Sequence, residues 1–178
     1  KIDKSFLSKR GIYKNLLFFI IKLARNLFSD LRRGKFLISF KDRVVFYSTS
    51  LNEYYSLKEV YNILSLSKLF VNNPPYNKPG EYFPRFLPSL ISLFYLPAFL
   101  KFYFSSDTTT KDNINYSRND VLHTYGYYVF LKYIFKKFKP RAVVISNDHL
   151  SEMRIMIHFC KIYNLPSFYI QHASITSS

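Results

Sequence analysis

Between Ala142 and Ile170 a short apolar stretch gives way to an amphipathic one and then to a second short apolar stretch, and this alternation restricts the fold more than any other feature. Ala142–Ser146 (AVVIS) reads as a strand buried on both faces, with Asn147-Asp148-His149 as the turn at its carboxyl end. Leu150–Asn164 reads as an amphipathic helix with Met153, Ile157, Cys160 and Ile162 among its apolar positions. Leu165-Pro166 makes the next turn, and Ser167–Ile170 (SFYI) a further buried strand followed by Gln171-His172-Ala173-Ser174. The same order occurs earlier. Arg43–Ser48 (RVVFYS) reads as a first strand, Tyr54–Leu66 as a helix, and Leu69–Val71 as a second strand stopped by Asn72-Asn73-Pro74-Pro75. Strands that alternate with helices form a parallel sheet with helices on both faces and right-handed connections. The expected fold class is therefore α/β, Rossmann-like.

Charge sets the partners. The 178 residues carry a net charge of +15, and residues 1–43 hold twelve Lys or Arg against three acids, which concentrates the charge at the N-terminus. Such a field attracts nucleic acid, an anionic membrane surface or phosphate-bearing substrates. Ile12–Arg33 has helical spacing: Lys14, Lys22, Arg25 and Arg32 fall on one narrow face, and Leu16, Phe19, Ile20, Leu23 and Leu27 lie elsewhere on the helix. The apolar run Leu16–Ile21 is too short to span a bilayer, which takes about 20 residues, but suits a helix lying in the interface. A helix packed on its own domain with a solvated basic face is the equal alternative. Residues 1–42 are thus expected to form a basic amphipathic helical region, and 43–178 the Rossmann-like domain.

Phe86–Leu100 contains fifteen uncharged residues broken by Pro88 and Pro97 and is expected to be a buried or interfacial helix pair. The polar stretch Ser105–Asn119 reads as a loop, and Val121–Lys139 as a helix opened by Asp120. His158 is placed in the core and His123 at the surface.

Ligands of open α/β sheets bind outside the carboxyl ends of the strands, where helix N-termini point their N–H groups. That selects Ser48–Glu53, Ser146–His149 and Gln171–Ser174. In the second segment an amide, a carboxylate and an imidazole share one turn. Asp148 is equally the residue type that caps a helix, Asn147 one that satisfies turn backbone, and His149 one often simply exposed. As a base, His149 has its unperturbed pKa near working pH. In the third, Gln171 and His172 emerge directly after a strand, though a lone His there is commonly scaffolding. The four glycines lie away from the strand-to-helix turns, and G-x-G-x-x-G, G-x-x-x-x-G-K-[ST] and G-x-S-x-G are all missing. A glycine-loop grip on a dinucleotide or ATP, and an α/β-hydrolase elbow, are therefore disfavoured. A single cysteine, Cys160, excludes an internal disulfide and a Cys-cluster zinc site. No metal and no cofactor is expected.

Val144-Ile145-Ser146-Asn147-Asp148-His149, a helix, and then Phe168-Tyr169-Ile170-Gln171-His172-Ala173-Ser174 resemble the N-terminal half of bacterial surface-polysaccharide glycosyltransferases of the two-Rossmann-domain (GT-B) type. In that family a strand ending in Asn-Asp-His is followed one βα unit later by Gln-His-Gly or Gln-His-Ala. The resemblance covers roughly 140–176, with a weaker echo in Phe46–Lys58 and its Asn52-Glu53 turn. It implies an acceptor-side domain of an enzyme building capsule or other cell-surface polysaccharide. His172 and His149 would line the cleft, one accepting the acceptor hydroxyl proton, with Asn147, Asp148, Gln171, Ser174, Asn52 and Glu53 binding substrate. A saccharide acceptor is the implied ligand, the nucleotide-sugar donor would sit on a second domain that this sequence does not include, and the chain is expected to be a fragment of a cytoplasmic protein peripheral to the inner membrane. A basic, aromatic-rich nucleic-acid-binding module and a non-catalytic membrane-associated scaffold are the alternatives. The aromatics fall mostly in runs expected to be buried, so nucleic acid is not the expected partner.

Overall fold

A computed structural model describes residues 12–73, 79–116, 120–147 and 150–170. It divides into two compact units, each assembled from two stretches of sequence. One takes the residues up to Phe36 with Arg85–Phe130, the other Leu37–Pro84 with the residues from Leu131 onward.

The second unit is the α/β part. Strands β1 (Val44–Ser48), β2 (Lys68–Asn72), β3 (Glu81–Tyr82), β4 (Ala142–Ile145) and β5 (Ser167–Tyr169) form one all-parallel sheet in the order β3-β2-β1-β4-β5. The expected Rossmann-like α/β class is what the chain adopts. β1 is central and buried along its length, with Val44 beside Lys68 on one side and Ala142 on the other. Alternation of side chains sends Val44, Phe46, Ala142 and Val144 to one face, where they pack with Phe70 and with Tyr54 and Leu57 of helix α2 (Leu51–Ile63). The β4–β5 crossover, helix α7 (Ser151–Ile162), buries Met153, Met156, Phe159 and Cys160. Because β1-α2-β2 and β4-α7-β5 progress in opposite directions along the sheet, right-handed crossovers place their helices on opposite faces. α7 ends where Asn164 takes a left-handed conformation (φ 51°) and Leu165 N–H donates to the Cys160 carbonyl at 2.8 Å, a Schellman-type stop ahead of Pro166. β5 departs from expectation. Ser167, Phe168 and Tyr169 are exposed, because the strand has a sheet neighbour only in β4 among the described residues. Its apolar composition alone could not distinguish an outer strand from an inner one.

The first unit is helical: α1 (Ile12–Arg33), α3 (Phe86–Phe94), α4 (Leu96–Ser105), α5 (Thr108–Tyr116) and the first part of α6 (Asp120–Lys137), whose remainder from Leu131 belongs to the other unit. α1 is packed, not free. Its Asp30 carboxylate accepts the Arg85 and Phe86 N–H groups at 2.9 and 2.8 Å, so a residue of α1 satisfies the start of α3, where Arg85 supplies no side-chain cap. Asn26 Nδ2 donates to Ser89 Oγ at 2.8 Å, and both residues are buried. Gly34 (φ 62°) ends α1, with Gly34 N–H on the Leu31 carbonyl and Lys35 N–H on that of Asp30. The expected helix pair is present, broken at Tyr95 ahead of Pro97 and bent by 57°. No single described helix is long and apolar enough to cross a membrane.

Two further expectations fail here, and one fails in the α/β unit. Within the expected loop Ser105–Asn119, Thr108–Tyr116 is a helix: α5 forms because Asp107 accepts the Thr110 N–H at 2.7 Å, a capping arrangement, and Ile114 buries against Tyr103. That backbone hydrogen bond first, and Thr110 Oγ1–H donating to the other carboxylate oxygen at 3.1 Å second, hold the Asp107 carboxyl below its usual range. His123 is buried, not superficial. Its ring lies 4.8 Å from that of Phe19, and burial, reinforced by the charge of Lys22, lowers its pKa to about 3. His158 is exposed instead of core, since α7 turns Met156, Phe159 and Cys160 inward and position 158 away from them.

Candidate functional site

In a sheet ordered β3-β2-β1-β4-β5, chain progression reverses between β1 and β4, the kind of switch point at whose carboxyl edge open α/β sheets take ligands. Two sequence-selected residues meet at this place. Asn147, the second residue past β4, donates from Nδ2 to Glu53 Oε1 at 2.7 Å, joining positions 94 apart in sequence.

Glu53 is held there by local chemistry. Ser50 caps α2, its Oγ accepting the Glu53 N–H at 3.2 Å, and the Glu53 carboxylate turns back to accept the Thr49 N–H (2.5 Å) and Thr49 Oγ1–H (2.8 Å) on Oε2. This closely follows the capping box, in which a Ser three residues before a Glu exchanges hydrogen bonds with it across the first turn. The Ser-x-x-Glu spacing, Ser50 to Glu53, also explains why α2 begins at Leu51 and not at Tyr54 as its apolar period suggests. Glu53 is 2% exposed and accepts three hydrogen bonds, so its carboxylate ties the β1 loop to the β4 loop and is not offered to a ligand. Asn52 is exposed on the first turn of α2, its carbonyl accepting Ser56 Oγ–H.

A second polar layer, which the sequence reading does not single out, lies alongside. Ser48 Oγ donates to Asn72 Oδ1 at 2.9 Å across the β1–β2 register. Asn73 Nδ2 reaches Tyr47 Oη at 2.7 Å and Glu152 Oε1 of α7 at 3.2 Å. By sequence, Asn72-Asn73 marks only the end of a strand. The signal was that an Asn pair closes β2 level with Ser48, where alternation alone would put apolar residues. Ser146, at the end of β4, is buried with no hydrogen-bond partner for its Oγ among the described residues. Buried hydroxyls are normally satisfied, which sets this one apart among the described residues of the sheet edge.

Asp148, His149, Gln171, His172 and Ser174 lie outside the described residues. Among the described residues no group of three His, Cys, Asp or Glu converges to hold a metal ion. Cys160 is a buried free thiol whose pKa burial pushes up to about 11, which suppresses the reactive thiolate. The cavities elsewhere are of different character. One of about 140 Å³ in the α/β unit is lined by Tyr54, Lys58, Tyr61 and Phe70, and one of about 300 Å³ in the helical unit by Tyr95, Phe99, Phe102 and Tyr125.

Fold and rim together define a Rossmann-like parallel α/β protein with a cross-linked polar edge at its switch point. No family model, curated protein or solved structure matches the chain.

Proposed function

We propose that the chain is the acceptor-side half of a GT-B-type glycosyltransferase that transfers a sugar from a nucleotide-sugar donor in the synthesis of capsule or other cell-surface polysaccharide, working in the cytoplasm against the inner leaflet. The observation that carries the reading is the Asn147–Glu53 bond at the β1/β4 switch point, which holds Asn147, the first residue of the Asn-Asp-His segment, at the edge where open α/β sheets take ligands. The resemblance of 140–176 to the family's Asn-Asp-His and Gln-His-Ala segments supports it further.

On this reading the acceptor hydroxyl attacks the anomeric carbon of the donor sugar, the bond from that carbon to the nucleotide phosphate breaks, and the hydroxyl proton passes to the imidazole of His172 or His149. Asn147, Asp148, Gln171, Ser174 and Asn52 orient the saccharide through hydrogen bonds, since a sugar requires several convergent donors and acceptors. Glu53 is a positioning residue for the rim.

The test is transfer by the full-length protein against a panel of nucleotide-sugars, followed as released nucleotide, comparing wild type with His172→Ala and His149→Ala. One of the two substitutions abolishes turnover while the circular dichroism spectrum and melting temperature stay unchanged. Undiminished turnover in both would remove the imidazoles from the mechanism, and no release with any donor would remove the reading.

A further inference from the structure

Helix α1 has three faces. Phe19, Asn26 and Asp30 form the buried one, turned toward the rest of the helical unit. At about 100° per residue, Tyr13, Leu17, Ile20, Ile21, Phe28 and Leu31 fall within a second arc about 100° wide. Each of these six side chains is more than half exposed. Lys14, Arg25 and Arg32 form a third stripe directly along one edge of that arc, also exposed. Single exposed apolar residues are ordinary, but a contiguous stripe running the length of a 22-residue helix marks a surface that is covered in use.

We infer that this stripe is an in-plane membrane anchor: α1 lies along an anionic phospholipid bilayer, Tyr13–Leu31 sunk into the boundary between headgroups and acyl chains and Lys14, Arg25 and Arg32 paired with lipid phosphates. Charge complementarity selects this occupant. A second copy laid stripe to stripe would bring the two cation rows together when the helices run antiparallel, and in either direction would press two chains of +15 each against one another. Nucleic acid needs aromatic faces for stacking, and the middle of the stripe is Leu17, Ile20 and Ile21. An interfacial helix requires an apolar face with Lys or Arg beside it, as here. Asn26–Ser89 and the Asp30 cap of α3 keep the opposite face of α1 in the protein, so docking requires no detachment of the helix. The inference stands whether or not the chain transfers sugar.

The chain contains no Trp, so a single introduced indole reports its surroundings without background. In vesicles of phosphatidylglycerol and phosphatidylcholine in equal parts, the indole of Phe28→Trp shifts to shorter wavelength and is quenched by acyl-chain-brominated lipid. Vesicles of the same composition without bromine give its unquenched reference. The Lys14→Gln/Arg25→Gln/Arg32→Gln variant loses about a hundredfold in vesicle affinity, at roughly a factor of five per cation. Leu17→Glu/Ile21→Glu loses at least tenfold while its melting temperature is kept, both sites being solvent-facing. Vesicle binding with an unquenched indole at position 28, binding indifferent to the cation substitutions, retention on RNA but not on vesicles, or no binding to either would each overturn the inference.

Discussion

Exchanging the two partners at the switch point tests whether Glu53 and Asn147 hold the rim as a pair. The Glu53 carboxylate receives three hydrogen bonds: Thr49 N–H at 2.5 Å, Thr49 Oγ1–H at 2.8 Å and Asn147 Nδ2–H at 2.7 Å. Glu53→Gln keeps the shape but offers one oxygen, so its NH2 faces either the Thr49 donors or the Asn147 amide. One part-buried donor then lacks its acceptor, at a cost of about 1–2 kcal/mol. Asn147→Asp alone sets a second carboxylate at the hydrogen-bond distance, and like charges there are costlier still. Together the substitutions restore complementarity, since the amide introduced at position 53 can donate to the carboxylate introduced at position 147 while its oxygen accepts from Thr49. Urea unfolding at pH 7 followed by circular dichroism should show each single variant less stable by about 2 kcal/mol, a fall of about 4–8 °C in Tm for a chain of this size. The double variant should recover at least half of the summed loss. A coupling energy of 1–2 kcal/mol is expected for groups in contact, whereas independent sites add to within about 0.5 kcal/mol. Strict additivity would show that the bond does not couple the loops and would dissolve the rim on which the proposed function rests.

Gly126→Ala should destabilise, although Ala ordinarily favours a helix interior by about 1 kcal/mol. A Cβ at Gly126 would sit 1.9 Å from the Pro88 carbonyl and 2.2 Å from Ser92 Oγ, forcing α6 off α3 and straining the Ser92–Leu122 hydrogen bond, for a net loss of about 1–3 kcal/mol; an unchanged or higher melting temperature would refute that contact. His123 gives the chain an acid-sensitive stability: its folded pKa of about 3 lies below the ordinary 6.5, so the unfolded chain binds the extra proton between these values. Stability present above about pH 6.5 is lost as pH falls, by up to about 1.4 kcal/mol per unit. His123→Leu should flatten the Tm-against-pH profile between pH 6.5 and about pH 5, and an unaltered slope would place the titrating group elsewhere.

The sheet was legible because its inner strands are short continuous apolar runs alternating with helical periods, the pattern of strands buried on both faces of a parallel sheet. Composition misled where capping decides. Thr108–Tyr116 is poor in helix formers and becomes α5 through the Asp107 cap and the burial of Ile114, neither of which a Thr- and Asn-rich stretch announces. The two histidines were exchanged between inside and outside because a helix position is assigned to a face only once its partners are known. His123 faces Phe19 of α1, a hundred residues earlier, and no local period encodes that. The division into units was hidden for the same reason: α1 belongs with Arg85–Phe130, and the link runs through Asp30 and Asn26, two polar residues that an amphipathic reading assigns to solvent.

At the rim, the sequence singled out Asn147 and Glu53, which the structure brings together, but not the way Glu53 is held. A carboxylate at a strand end invites a role in binding or proton transfer, yet this one is 2% exposed and already accepts hydrogen bonds on both oxygens. Taking a proton there would break the Thr49 and Asn147 contacts that position the two loops. On the proposed reading, therefore, the chemistry falls to the imidazoles of His149 and His172, and Glu53 fixes the edge on which they act. The loss of turnover in Glu53→Gln should accordingly be reversed in part by Asn147→Asp, whereas no partner substitution should restore a histidine that takes the proton.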